Sequence, residues 1–217
     1  MFNIARGLIK TLFFRGSAAY WERRYRRGRN SGGGSYGENA SFKAKFLNNF
    51  VRETGVESVI ELGVGDGSQL ALANYKDYVG VDVSKTAIRM CKKQFFADGT
   101  RRFFDSEERK LWLIRSGYDL SLSLDVIFHL IEDNVYEQYM RDLFDVSRKF
   151  VIIYSWDDKT PRSLLSIYPH VRKRKFTDWI NINASNWQLD FHQRNDDPEM
   201  PGFYVFCRSN NGAGELI

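Results

Sequence analysis

The chain has 217 residues, a net charge of +5 and a pI of about 9.1, and it is 43% hydrophobic and 15% aromatic. That apolar content suits one large domain with a packed core and is too high for a disordered chain. Two cysteines far apart, Cys91 and Cys207, argue against a disulfide scaffold or structural zinc site, and no run approaches the roughly 18 apolar residues of a membrane span, so a cytoplasmic protein is expected.

In chain order, Met1 to Phe14 sets Phe2, Ala5, Ile9, Leu12 and Phe13 near one helical face, with Arg6, Lys10 and Arg15 interleaved. It lacks the long apolar stretch and small-residue cleavage site of a signal peptide. Such a helix packs on its own domain, on a sister subunit in a homo-oligomer, or on a membrane surface. A basic run follows at Arg23, Arg24, Arg26, Arg27 and Arg29, then the low-complexity stretch Asn30-Ser31-Gly32-Gly33-Gly34. That stretch is either a linker or a loop that comes close to a ligand. The implied division is a helical segment with a glycine-rich lid loop over 1–37, a main domain over 38–209 and a flexible tail over 210–217.

The main domain alternates. Phe42 to Arg52 has helical periodicity, Ser58 to Leu62 reads as a buried strand, Ser68 to Tyr75 as a helix and Tyr78 to Val83 as a second strand. Ser84 is placed to cap a helix from Lys85 to Phe95. A short strand at Arg102 to Phe104 follows, then a strand at Tyr118 to Leu124, a helix at Asn134 to Val146 and a strand at Lys149 to Tyr154. A second basic run, Arg172 to Lys175, precedes a short helix from Thr177 to Asn183 with Thr177 as its cap. Trp187 to His192 and Phe203 to Cys207 are the last strands. Alternating strands and helices imply a mostly parallel sheet covered on both faces. The last two strands have no helix between them and pair as an antiparallel hairpin at one edge. The expected fold class is a three-layer, Rossmann-like α/β fold with a seven-stranded sheet.

The first strand runs into Glu61-Leu62-Gly63-Val64-Gly65-Asp66-Gly67. Glycines permit a tight turn and a close ligand approach at the carboxyl end of a central strand, where open α/β sheets bind ligands. A nicotinamide-binding turn would need G-x-G-x-x-G, but here the third glycine comes one residue early. The spacing E-x-G-x-G-x-G resembles motif I of class I S-adenosylmethionine-dependent methyltransferases. The second strand ends at Asp82, followed by Val83, and its carboxylate suits a ribose diol. The segment Ser123-Leu124-Asp125-Val126-Ile127-Phe128-His129-Leu130 is similar to the post-strand motif of small-molecule methyltransferases. Tyr20-Trp21-Glu22 and Ser35-Tyr36-Gly37 look like a bacterial subgroup of that superfamily.

The resemblance implies S-adenosylmethionine as cofactor and S-adenosylhomocysteine as product. It implies that Glu61 holds the methionine amino group, that Gly63, Gly65, Gly67, Asp82, Val83 and Asp125 form the cofactor site, and that Asp105 meets the adenine amine. His129 is the candidate base for an alcohol or amine acceptor; the alternative is a histidine packed under the following helix. Trp21 and Tyr36 either close over the cofactor as a lid or pack in the core. No Pro-Pro-aromatic loop is present and neither cysteine comes directly after the fourth strand, which disfavours base-amine and cytosine-5 chemistry. No metal cluster appears either. A small-molecule or sugar acceptor leads. The basic runs are solvated faces or phosphate grips, so an RNA methyltransferase is the second reading and a non-catalytic cofactor-binding partner the third.

Overall fold

The computed structural model describes residues 14–113, 117–159, 170–195, 197 and 199–209. The amphipathic helix expected over most of Met1 to Phe14, and the tail at 210–217, lie outside them. The elements in chain order are α1 (Ser17–Arg26), α2 (Gly37–Thr54), β1 (Ser58–Leu62), β2 (Asp77–Asp82), α3 (Lys85–Gln94), β3 (Arg101–Asp105), α4 (Arg109–Leu113), β4 (Tyr118–Leu124), α5 (Asp133–Asp145), β5 (Ser147–Ser155), α6 (Phe176–Asn183), β6 (Trp187–Gln193) and β7 (Gly202–Arg208). The sheet order is β3-β2-β1-β4-β5-β7-β6. β7 runs antiparallel to both β5 and β6, and the other pairings are parallel. The seven-stranded sheet with its closing hairpin is as expected.

All residues of β4 are buried, as befits a strand covered on both faces. Successive side chains point to opposite faces, so each strand feeds two cores. Ile60, Val79, Val151 and Ile153 pack with Met140, Leu143 and Trp179 on one face. Val59, Tyr78, Leu120, Leu122 and Ile152 pack with Leu47 and Ile88 on the other. The serines in β4 are buried with hydrogen-bond partners: Ser121 donates to the Leu143 carbonyl at 2.7 Å, and Ser123 donates to the Tyr139 hydroxyl at 2.7 Å, which in turn donates to the Leu62 carbonyl. Ser84 caps α3 as expected, accepting from the Ala87 amide at 3.1 Å.

Two expectations need correction. Ser68 to Tyr75 is not a helix but a single turn at Leu70–Leu72. Side chains from other elements take the carbonyls a longer helix would use: Asn48 donates to Leu72, and Arg101 donates to Leu70 and Ala73. Thr177 is not the cap of α6, which begins one residue earlier, at Phe176. Its hydroxyl donates to Asp157, whose carboxylate also accepts the Thr177 amide at 3.0 Å.

Gly67 sits at φ +82°, and a Cβ there would lie 2.9 Å from the Phe95 ring and 3.2 Å from Cys91 Sγ. Backbone strain and the clash with α3 add, so Gly67→Ala is expected to lower stability by about 1–3 kcal/mol in urea unfolding. An unchanged midpoint would contradict this packing.

Candidate active site

Parallel strands end together, so the carboxyl ends of β1, β2 and β4 form one rim. Past β1 the chain turns back on β2: the Gly63 and Val64 amides donate to the Val81 carbonyl at 2.7 and 3.1 Å. The turn is then tied to Asp82, whose two carboxylate oxygens accept from the Gly65 amide at 2.9 Å and the Ser84 amide at 2.8 Å. Burial still pushes this carboxyl up to about 6. Glu61 is wholly buried one strand over, accepts from the Tyr78 hydroxyl at 2.6 Å, and is pushed up by burial to about 7.

This rim opens into a cavity of about 620 Å³, within the range of small-molecule and cofactor sites. Of the residues singled out in the sequence, Trp21, Glu61, Gly63, Gly65, Asp82, Val83, Asp125 and His129 line it. Three do not. Gly67 faces α3. The Asp105 carboxylate turns away to cap the Ser106–Glu108 turn, accepting from the Glu107 and Glu108 amides, and Ser106 lines the cavity in its place. Tyr36 donates to Asp66 at 2.7 Å, on the outside of the glycine turn.

His129 follows β4 on the turn Ile127–His129. Its Nδ1 is 2.7 Å from the His170 carbonyl, which makes Nδ1 the protonated nitrogen and leaves the lone pair on Nε2. Trp21 stands edge-on to the ring at 4.9 Å and Phe128 lies at 4.4 Å. Burial among these rings lowers the imidazole to about 4, so it is neutral at physiological pH.

The N-terminal segment covers the cavity and is tied down at both rims. At one rim the Ser17 amide and hydroxyl donate to Glu132 at 2.8 and 2.7 Å, and Tyr20 stacks on His170 at 4.5 Å. At the other, Glu22 accepts from Ser84 Oγ at 2.6 Å and from the Thr86 amide and hydroxyl at 3.1 and 2.8 Å. The glycine-rich loop lies directly on the turn. Ser31 and Asp66 exchange two hydrogen bonds at 2.8 and 3.0 Å, and a Cβ on Gly65 would lie 2.4 Å from Ser31 Oγ. Burial alone would raise the Glu22 and Asp66 carboxyls, but their hydrogen-bond donors outweigh it and hold both below the usual range.

The two arginines of the second basic run are consumed within the fold. Arg172 and Arg174 both pair with Asp133 and donate to carbonyls at Leu130 and Ile131, bracing the turn after His129. Lys175 pairs with Asp178. Sequence reasoning missed Ser17, Tyr25, Ser31, Lys43, Arg109 and Trp112 in the cavity wall. Only the glycine-rich composition around Ser31 hinted at a covering loop.

The glycine turn, the buried acids and a cavity of this size fit S-adenosylmethionine. Asp82 keeps lone pairs for a diol after accepting two amides, and Val83, Leu124 and Val126 give apolar walls for a base. Residues 59–149 match a family model described as a methyltransferase domain. The chain thus carries a methyltransferase domain over that segment, as expected of an S-adenosylmethionine-dependent enzyme. Among solved structures, it is similar in fold to magnesium protoporphyrin IX methyltransferase from Synechocystis PCC 6803 with bound S-adenosylmethionine, at 15% identity and a TM-score of 0.62, covering 91% of this chain and 99% of that one. The methyltransferase domain of bacterial CtHen1 is 20% identical with a TM-score of 0.60, over 77% of this chain and 97% of that one. No curated protein matches in sequence. Among the described residues no helix is long and apolar enough to cross a membrane, and no group of side chains suits a metal ion.

Glu61 and Asp82 hold protons more tightly folded than unfolded. Their share of stability is full below their unfolded values near 4 and is lost as pH rises through about 6 and 7. Glu61→Gln should flatten part of that fall and make the ligand-free protein about 1–3 kcal/mol more stable at pH 8. Urea unfolding at pH 5 and pH 8 checks this; a wild-type pH slope in the variant would contradict it.

Proposed function

We propose that this enzyme methylates a hydroxyl or amine of a small molecule, a sugar being the first class to test, with His129 accepting the acceptor's proton. The observation that carries this reading is the His129 ring in the cavity wall, with Nδ1 held on the His170 carbonyl and Nε2 left with its lone pair. The ring is oriented by a second group and unprotonated at working pH, while its burial among aromatics weakens it as a base in the ligand-free protein. Bound S-adenosylmethionine supplies an activated methyl on its sulfonium. The chain supplies alignment, worth up to about 7–11 kcal/mol in ideal cases, and keeps water out. Asp82 would hold the diol, Glu61 the amino group, and Gly63, Gly65 and Val83 the surfaces between them. The segment before α2, carrying Trp21 over the cavity, would act as the lid of the domain beginning near residue 38.

The helix and glycine-rich loop tied across the cavity favour a small acceptor over a nucleic acid. Of the two basic runs the first, with Arg23, Arg26, Arg27 and Arg29, stays exposed on and after α1, and of the second only Lys175 does, so the RNA reading rests chiefly on the first.

Calorimetry with S-adenosylmethionine and S-adenosylhomocysteine tests the site, and Asp82→Ala is expected to weaken both at least tenfold. Methyl transfer from labelled cofactor to a panel of sugars and small alcohols and amines tests the acceptor. With any acceptor that turns over, His129→Asn should lower kcat by about 10²–10⁴ while leaving cofactor affinity within a few fold. Unchanged turnover would remove the base role. Binding without transfer to any small acceptor, with salt-sensitive RNA binding, would favour the RNA reading.

A further inference from the structure

The positive charge of this chain is gathered at one end. Residues 1–30 hold eight of its 32 lysines and arginines and, of its 27 acids, only Glu22. That segment carries +7 in a chain of net +5, so everything after it is slightly acidic. The densest part lies on α1, and the one acid there does not offset it. Glu22 turns inward and accepts from Ser84 and Thr86 at the start of α3. Arg24 is spent as well, donating to the Asn30 carbonyl at 2.6 Å and lying over the Trp21 ring.

The remaining arginines face water. Arg23, Arg26 and Arg27 are exposed, and a spacing of three and four residues sets them on one face of α1. Arg15 just before the helix and Arg29 just after it are exposed too. Among the described residues none of these five pairs with a carboxylate. Ser17, Trp21 and Tyr25, four residues apart, line the cavity instead. The cover therefore has an inner side that closes the cavity and an outer side that is cationic.

Phe14 approaches the Tyr20 ring at 6.3 Å, beside the rim where Tyr20 stacks on His170, so residues 1–13 continue directly from the cover. Their sequence pattern puts Phe2, Ala5, Ile9, Leu12 and Phe13 on one helical face with Arg6 and Lys10 beside it, and no acid precedes Glu22. A nucleic acid would use the charges and leave the apolar stripe idle. An anionic bilayer uses both, since apolar side chains enter the headgroup boundary while cations meet the lipid phosphates. Binding of such a segment grows with the two terms together.

We propose that residues 1–29 form a docking surface for an anionic lipid bilayer, the apolar stripe of Met1 to Phe14 entering the headgroup layer and Arg23, Arg26, Arg27 and Arg29 lying on the lipid phosphates. The protein is then peripheral to the membrane, and α1, which covers the cavity, is the face on the bilayer. This surface stands apart from the acceptor reading, because it uses neither His129 nor any group that holds the cofactor.

The test is flotation of the full chain with lipid vesicles. At about 0.1 M salt, vesicles of phosphatidylcholine with about 30% phosphatidylglycerol are expected to bind at least about tenfold more tightly than pure phosphatidylcholine, and about 0.5 M salt should remove most of that difference. The quadruple variant Arg23→Gln/Arg26→Gln/Arg27→Gln/Arg29→Gln should weaken binding to the anionic vesicles at least about tenfold. Ile9→Asp, within the apolar stripe, should weaken it about tenfold as well, which a contact made by charge alone would not show. Both variants should keep the wild-type thermal midpoint. Equal binding of the wild type to the two kinds of vesicle, or binding to neither, overturns the proposal, and this comparison decides even if a variant does not fold. Undiminished binding of either folded variant to the anionic vesicles overturns it too. Tight binding of a single-stranded RNA oligomer that the quadruple variant loses and Ile9→Asp keeps, with no preference for anionic vesicles, would give the surface to nucleic acid instead.

Discussion

The Asp82 carboxylate bonded to the Gly65 and Ser84 amides is the constraint on which the site depends. It joins the turn after β1 to the start of the helix after β2, and so fixes where two neighbouring strand ends stand. It does this while buried, at an ionisation cost visible in its raised pKa, and it keeps acceptor capacity on the cavity side. Ser84 extends the same chain outward: its amide meets Asp82, and its hydroxyl both caps α3 and donates to Glu22 on the covering helix. Asp82 and the cover are thereby two hydrogen bonds apart.

The electrostatics of the cavity follow from burying acids that a cation would satisfy. Glu61 and Asp82 are raised because nothing in the ligand-free cavity offsets their desolvation fully. A sulfonium and an ammonium bring positive charge to such a site. His129 is shifted the other way by the same physics, which keeps it neutral. The same burial therefore favours a cationic ligand and a neutral imidazole together.

Much of this was legible in the sequence because its cause is local. The strand at Tyr118 to Leu124 shows as alternating leucine and serine, and the glycine turn, Asp82 and the cap at Ser84 lie within a few residues of the strands that place them. What sequence reasoning missed depends on distant partners. The helix expected at Ser68 to Tyr75 gives way to one turn because Asn48 and Arg101 claim its carbonyls. Ser31 reaches Asp66 across 35 positions, and Lys43 reaches Asp125 across 82. Arg172 and Arg174 looked like a surface charge run, but carbonyls and a carboxylate after β4 absorb them. Asp105 looked like a ligand for adenine, yet the acids two and three residues on, Glu107 and Glu108, give it two amides to cap.

The most direct test is a crystal structure of the protein grown with S-adenosylhomocysteine. The ribose diol should lie within hydrogen-bond distance of Asp82, and the amino-acid end should point toward β4 beneath Trp21. A ligand bound elsewhere, or one reversed so that its diol lies away from Asp82, would contradict the site described.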